Sequence, residues 1–179
     1  MSVPRVLPGA RCSKRLLPLA LAAALAGCGG SGAQPAQVLN GNGFSFSAPG
    51  GWSVKRTQQA VEAASGDLAV SVTVFRLERR YRSALWPKVV PELDAVAKNL
   101  AGQLEGSASA GSTVTVAGRR ARRYDIDFAR NGRQLVERIT FLLDGRREYQ
   151  LLCRYRAGAS DQPEADPACA ALGSSFRLR

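Results

Sequence analysis

The residues with the greatest chemical potential in this sequence are two aspartates and four arginines that lie close together along the chain. Asp125 and Asp127 are two residues apart, so on a strand they would share one face with Cα atoms about 7 Å apart. Such a pair could bind calcium or perform acid–base chemistry. Because no further carboxylates converge there, we favour the outer face of a charged strand, with Arg138 opposite Asp125.

The densest basic cluster precedes these aspartates and consists of Arg119, Arg120, Arg122 and Arg123. Guanidinium groups bind phosphates and carboxylates through paired N–H donors, so the cluster is a candidate anion-binding site. The alternative, which we favour, is a solvated hairpin tip. Trp52 is expected to pack in the core rather than to form a ligand platform.

The 179 residues include no histidine, which removes the usual base for a serine or cysteine nucleophile and the commonest zinc ligand. Gly41-Asn42-Gly43 lacks the preceding strand and following helix of a phosphate-binding loop. The sequence therefore predicts a protein that is not an enzyme, with no cofactor and no metal site.

The four cysteines have different expected roles. Cys12 lies in the N-terminal segment, and Cys28 is the candidate lipidation site. Cys153 and Cys169 would face an oxidising compartment, where pairing is the default expectation and two buried free thiols are the alternative. A disulfide between them would leave no thiolate nucleophile.

Cys28 directly follows Leu25-Ala26-Gly27, at the end of an apolar run that begins at Leu16 and is preceded by basic residues. This order is typical of a secretory signal, and it resembles a bacterial lipobox. The sequence predicts a signal peptide over 1–27 and lipidation of Cys28, and the alternative is a cleaved but unlipidated signal. Gly29 is not the aspartate of inner-membrane retention, so an outer membrane is favoured if the host has two membranes.

Residues 28–42 are rich in glycine and small polar residues, and they predict a flexible tether to a domain over 43–179. After processing, 21 lysines and arginines remain against 14 acidic residues, which suits an anionic partner. A GC-rich genome would also explain the arginine content, and this simpler explanation is favoured. The predicted partners are the membrane, through the lipid on Cys28, and an envelope protein or an anionic lipid or polymer. Nucleic acid is not expected.

Within this domain, alternating apolar residues predict strands over 44–48, 53–56, 68–74 and 113–117, whereas 59–64 could be strand or helix. Apolar residues at spacings of three and four predict a helix over 87–105. Asn131-Gly132 predicts a two-residue hairpin that places Asp125 opposite Arg138. A three-residue bulged turn at 144–146 is predicted next, because it sets Phe141 opposite Tyr149. Asp166-Pro167 is expected to begin a short second helix. Because the meander is apolar on both faces, helices are expected on both.

Several short motifs resemble the PsbP/LpqN-like superfamily, which also includes the eukaryotic Ran-binding Mog proteins. The matching segments are 43–52, the strand 68–75 with the helix that follows, Val116–Ala121, and 172–176 at the end of the chain. The resemblance implies an α+β fold in which an antiparallel sheet is sandwiched between helices. It also implies a non-enzymatic protein, and it brings no catalytic residues.

These observations predict a lipid-anchored, extracytoplasmic binding or scaffold module of the bacterial cell envelope. The alternative function is binding of a small molecule, lipid or envelope polymer in a pocket between sheet and helix, near Trp52 or the Arg119–Arg123 cluster.

Overall fold

The computed structural model describes residues 34–158 and 162–179. Their elements in chain order are β1 (Gln37–Gly41), β2 (Phe44–Ala48), β3 (Ser53–Arg56), β4 (Ala60–Ser65), β5 (Leu68–Arg76), a 3-10 helix (Ser83–Leu85), α1 (Trp86–Gln103), β6 (Ser107–Ala108), β7 (Ser112–Val116), β8 (Arg119–Arg130), β9 (Arg133–Asp144), β10 (Arg147–Arg156), α2 (Gln162–Ser175) and β11 (Arg177–Leu178).

These strands form two antiparallel sheets. The larger has eight strands in the order β3-β4-β5-β10-β9-β8-β6, and β7 also pairs with β8. The smaller has three strands in the order β1-β2-β11. No helix of the described segments combines the length and apolar character needed to cross a bilayer.

The two helices pack on opposite faces of the large sheet, because alternate residues of a strand point to opposite sides. On one face, α1 buries Leu93 and Ala97 against Tyr124, Ile126 and Phe141. On the other face, α2 and the three-stranded sheet share one core with β10, β5 and β4, which includes Phe44, Phe46, Val70, Val72, Leu151, Leu172 and Phe176. The predicted α+β sandwich is confirmed, with one outer layer built from both a helix and a small sheet.

The Asn131-Gly132 hairpin has the predicted register. Arg130 pairs with Arg133, and Asp125 lies opposite Arg138. Asn131 and Gly132 have φ values of 52° and 71°, the left-handed conformation that these two residue types adopt most readily. Local turn chemistry was therefore sufficient to set this pairing.

The predicted three-residue turn between β9 and β10 is wrong. Arg147 pairs with Asp144, so the loop contains only Gly145 and Arg146, and Tyr149 lies opposite Leu142 rather than Phe141. A shift of one residue exchanges the two faces of a strand. The prediction placed Phe141 and Tyr149 on one face, whereas Phe141 packs on the α1 side and Tyr149 on the α2 side.

Two element boundaries also differ from the sequence predictions. β1 (Gln37–Gly41) lies inside the predicted tether 28–42, because its backbone pairs with β2 and Leu39 is buried. α2 begins at Gln162 instead of at Asp166-Pro167, and Pro167 lies inside the helix. The predicted signal peptide 1–27 and the predicted lipidation site Cys28 lie outside the described residues.

Candidate functional site

The strand geometry of β8 divides the four clustered arginines into two pairs. Arg120 and Arg122 lie on the side of α1, whereas Arg119 and Arg123 lie on the side of α2, because successive residues alternate between faces. They lie in the first five residues of β8, where Arg119 to Arg123 pair with β7, rather than in an isolated hairpin tip. All four therefore cannot surround one small anion.

The α1-side pair joins the helix to the sheet. The Arg120 guanidinium lies 5.5 Å from the centre of the Trp86 ring and donates to the Ser83 carbonyl at 3.0 Å. Arg122 donates to Asp94 of α1 from Nε at 3.1 Å and from Nη2 at 3.0 Å. These contacts give both arginines a structural role.

Tyr124 completes the Arg122 network, and its hydroxyl donates to Asp94 Oδ1 at 2.5 Å. Burial, and then the hydrogen bond to Asp94, raise the pKa of Tyr124 to about 12. The Tyr124 hydroxyl, followed by the Arg122 guanidinium, holds the pKa of Asp94 below its usual value. The network stabilises the contact between α1 and β8.

We expect this network to make stability decline at high pH. Tyrosine in the unfolded chain ionises near pH 10, whereas folded Tyr124 ionises near pH 12. The folded state therefore retains a proton that the unfolded state has lost, and the free energy of unfolding falls as the pH rises from about 10 to about 12. Titration of ¹³C-labelled tyrosine by NMR measures this pKa directly.

Two variants test the origin of the shift. Asp94→Asn removes the negative charge that accepts the hydrogen bond of the Tyr124 hydroxyl, so the Tyr124 pKa is expected to fall. Asp125→Asn removes a carboxylate on the opposite face and is expected to leave the pKa unchanged. An equal Tyr124 pKa in the two variants would contradict this explanation.

The paired aspartates do not form an independent acidic site. Arg138 binds Asp125 with two hydrogen bonds, Nε to Oδ1 at 2.9 Å and Nη2 to Oδ2 at 3.1 Å. Asp127 is exposed on the same strand. Within the described ranges no group of three potential metal ligands occurs. Asp125 thus acts as the partner of Arg138.

On the α2 side, Arg123 lines a groove whose bounds the sequence did not predict. It has a volume of about 660 Å³ and lies between α2 and strands β7 to β10. Arg123 and Arg138 provide two cations, and Arg123 is exposed without an ion pair to any described residue. The other lining residues are mainly apolar or small and include Val114, Val116, Leu151, Cys169, Ala170, Leu172 and Gly173.

A second concavity of about 660 Å³ continues this groove past the end of α2. The two share Thr115, Gly173 and Ser174, and the second adds Arg119 and Arg177. Arg119 forms an ion pair with Asp144 at 2.9 Å. The arrangement can bind an anionic group beside an apolar surface, although Trp52, the other predicted ligand-binding position, packs against the core instead.

The disulfide forms one edge of this groove. Cys153 of β10 and Cys169 of α2 are bonded, with Cα atoms 5.4 Å apart. Both cysteines are buried, with 3% and 9% of their surface exposed. The bond holds α2 against the sheet and thereby sets the width of the groove.

No protein-family model and no curated protein sequence matches the chain. Similar solved structures include CyanoP, a PsbP of the cyanobacterium Synechocystis sp. PCC 6803, with 16% identity over 87% of this chain and 99% of that protein and a TM-score of 0.55. A protein from Bacteroides thetaiotaomicron has 11% identity over 76% of this chain and a TM-score of 0.54, and the match spans only 45% of that longer chain.

A third similar structure is LpqN of Mycobacterium tuberculosis, described as involved in cell envelope biogenesis. It has 11% identity over 80% of this chain and 90% of LpqN, with a TM-score of 0.47. At these identities the comparisons establish the fold alone. The match to nearly the whole of CyanoP shows that this chain has a PsbP-like α+β fold, as its sequence motifs predict.

Proposed function

We propose that this protein is an extracytoplasmic lipoprotein whose domain is a non-catalytic binding module of the cell envelope. The observation that carries the proposal is the position of Cys28, directly after Leu25-Ala26-Gly27 and a basic and apolar leader. Lipidation at Cys28 would leave a short linker before β1. Gly29 favours the outer membrane in a host that has two membranes.

The chemistry of the domain supports binding rather than catalysis. The sequence has no histidine, and the disulfide occupies both cysteines of the domain. Three carboxylates beside the basic cluster, Asp94, Asp125 and Asp144, accept hydrogen bonds from Arg122, Arg138 and Arg119. Arginine-lined surfaces are therefore the main means by which the domain would recognise a partner.

Replacing Cys28 tests the anchoring. In the producing bacterium, the wild-type protein is expected to incorporate labelled palmitate and to begin at residue 28, whereas Cys28→Ser incorporates none. The readouts are the incorporated palmitate label and the mass of the N-terminal peptide. Membrane fractionation would not be sufficient, because an uncleaved precursor would also remain in the membrane fraction. Cys12→Ser is the matched control, since residue 12 would leave with the signal peptide. An unmodified wild-type N-terminus would contradict the proposal.

The groove beside α2 favours a second candidate function, which is binding of an amphipathic anion. Arg123 would bind the charged group, and the apolar wall formed by Val116 and Leu172 would contact the hydrocarbon. Loss of one charge-assisted hydrogen bond weakens binding by roughly tenfold or more. We therefore expect Arg123→Gln to weaken laurate binding by about that factor in titration calorimetry.

Two comparisons make this test specific. Arg130→Gln removes an exposed arginine of the same strand outside the groove and is expected to leave laurate binding unchanged. Dodecanol has the same chain length without the charge and is expected to bind more weakly. Equal binding of laurate and dodecanol, or no binding of either, would exclude this second function.

A further inference from the structure

The groove beside α2 contains a buried polar group that the fold leaves without a partner. Thr140 of β9 lines the groove and is only 8% exposed. Among the described residues its hydroxyl has no hydrogen-bond partner. Buried polar side chains in proteins usually have one, because an unpaired hydroxyl lowers stability. Thr140 therefore marks a position at which a ligand can supply the missing hydrogen bond.

Arg123 lies next to this hydroxyl. The two residues are directly opposite each other on β8 and β9, so their Cβ atoms are about 5 Å apart. Arg138 also lines the groove but is bound to Asp125, whereas Arg123 has no ion pair with a described residue. A guanidinium and a hydroxyl at this spacing can donate to the two oxygens of one carboxylate. Arg123 and Thr140 form the near end of the groove.

The second concavity, past the end of α2, supplies another cationic site. It is lined by Arg119 and Arg177, which form the far end of the groove. Arg119 is paired with Asp144. Arg177 donates to the carbonyls of Ser174 and Phe176, which carry no net charge, and has no ion pair with a described residue. Each end of the groove therefore retains an arginine whose charge is not neutralised.

The stretch between the two ends is apolar. Arg119 and Arg123 lie on the same face of β8 and are four residues apart, which separates their Cα atoms by about 13 Å. Val116 of β7 and Leu172 of α2 line this interval. Of the described residues that line the two concavities, none is acidic. A ligand that reaches both ends would carry hydrocarbon between two anionic groups.

Gly173 keeps the passage between the two concavities open. It lies near the end of α2 and lines both of them. Its φ is outside the left-handed region, and a Cβ at this position would meet no heavy atom within 4 Å. Neither the backbone conformation nor local crowding therefore requires glycine, which is less favourable than alanine within a helix. Any larger side chain here would project into the passage.

We infer that the groove binds an elongated dianion, a hydrocarbon chain with an anionic group at each end. Arg123 and Thr140 would hold one group, and Arg119 and Arg177 the other, with the chain passing Gly173. A fatty acid would place its apolar terminus between two arginines, whereas a dianion places a charge there. This inference rests on the second candidate function above and deepens it, because it names the ligand class and adds Thr140 as a binding residue.

Titration calorimetry with three probes tests the ligand class. The protein is the full chain with Cys28→Ser, which carries no lipid into which an amphiphile could partition. Dodecanedioate, with a carboxylate at each end of its chain, is expected to bind about tenfold more tightly than laurate, the gain from one additional charge-assisted contact. Succinate carries the same two charges without a long chain and is expected not to bind measurably.

Two variants separate the ends of the groove. Arg177→Gln is expected to weaken dodecanedioate binding about tenfold and to leave laurate binding unchanged, because only the dianion places a charge at the far end. Arg130→Gln, an exposed arginine outside the groove, is the matched control and is expected to change neither. Thr140→Val keeps the side-chain shape but removes the hydroxyl, so both ligands are expected to bind more weakly.

Thermal melting distinguishes a binding role of Thr140 from a structural one. Replacing an unpaired buried hydroxyl by a methyl group is neutral or stabilising. Thr140→Val is therefore expected to melt at the same temperature as the Cys28→Ser parent or higher, whereas loss of a structural hydrogen bond would lower it. Gly173→Leu is likewise expected to fold normally and to weaken binding of both long ligands, because its side chain fills the passage.

Several results would overturn the inference. These are laurate binding as tightly as dodecanedioate, succinate binding as tightly as dodecanedioate, equal dodecanedioate affinities in Arg177→Gln and Arg130→Gln, or unchanged affinities in Thr140→Val. If laurate binding still depends on Arg123 in any of these cases, the second candidate function stands and only the dianion assignment fails. Absence of binding of both long ligands would exclude the two together.

Discussion

Reduction of the Cys153–Cys169 disulfide is expected to lower the free energy of unfolding by about 3 kcal/mol. The bond closes a loop with a sequence separation of 16, and its loss increases the conformational entropy of the unfolded chain. It also removes the covalent link between α2 and β10. Denaturant unfolding with and without a reductant measures the change.

The double variant Cys153→Ala/Cys169→Ala is the control for this experiment. It lacks the bond, so the reductant is expected to leave its stability unchanged, although both buried side chains are also truncated. If reduction leaves the wild-type protein equally stable, the disulfide does not stabilise the fold.

Phe176→Ala is expected to destabilise the domain by about 3–5 kcal/mol, the usual cost of removing a buried phenylalanine. Phe176 is fully buried directly after α2, and its ring lies 5.6 Å from that of Tyr149 and 6.2 Å from that of Phe44. It therefore joins the small sheet, the large sheet and α2. The loss of stability is measured from the midpoints of denaturant unfolding, with the dependence of the unfolding free energy on denaturant concentration held equal for both proteins.

Phe75→Ala provides a matched control for Phe176→Ala. Phe75 is 40% exposed at the end of β5, so the same substitution is expected to cost about 1 kcal/mol or less. Similar losses at the two positions would show that the aromatic cluster around Phe176 does not hold the layers together.

The elements of this fold were predictable where one strong local pattern decided them. The repeated apolar spacing of α1 and the Asn131-Gly132 turn are properties of short stretches of chain. The register of Asp125 opposite Arg138 followed directly from that turn. The predicted register of the β9–β10 hairpin was wrong. Loops of two and of three residues were both plausible there, and the choice between them depends on which of the two cores each face of β10 packs against.

The candidate sites were less predictable than the elements. The sequence shows Arg119, Arg120, Arg122 and Arg123 as one cluster, but strand alternation assigns two to contacts with α1 and two to the groove beside α2. The number of clustered charges does not reveal this division. The alternation of faces along β8 could be predicted from the sequence, but the position of α2 beside the sheet could not.

The sequence by itself determined the α+β class, the pairing partners of the central hairpin and the lipobox hypothesis, because each depends on neighbouring residues. Only the tertiary structure brought to one end of the large sheet four arginines that are far apart in sequence, Arg56, Arg76, Arg120 and Arg146. The physical reason is that antiparallel pairing aligns strand ends regardless of their separation in sequence.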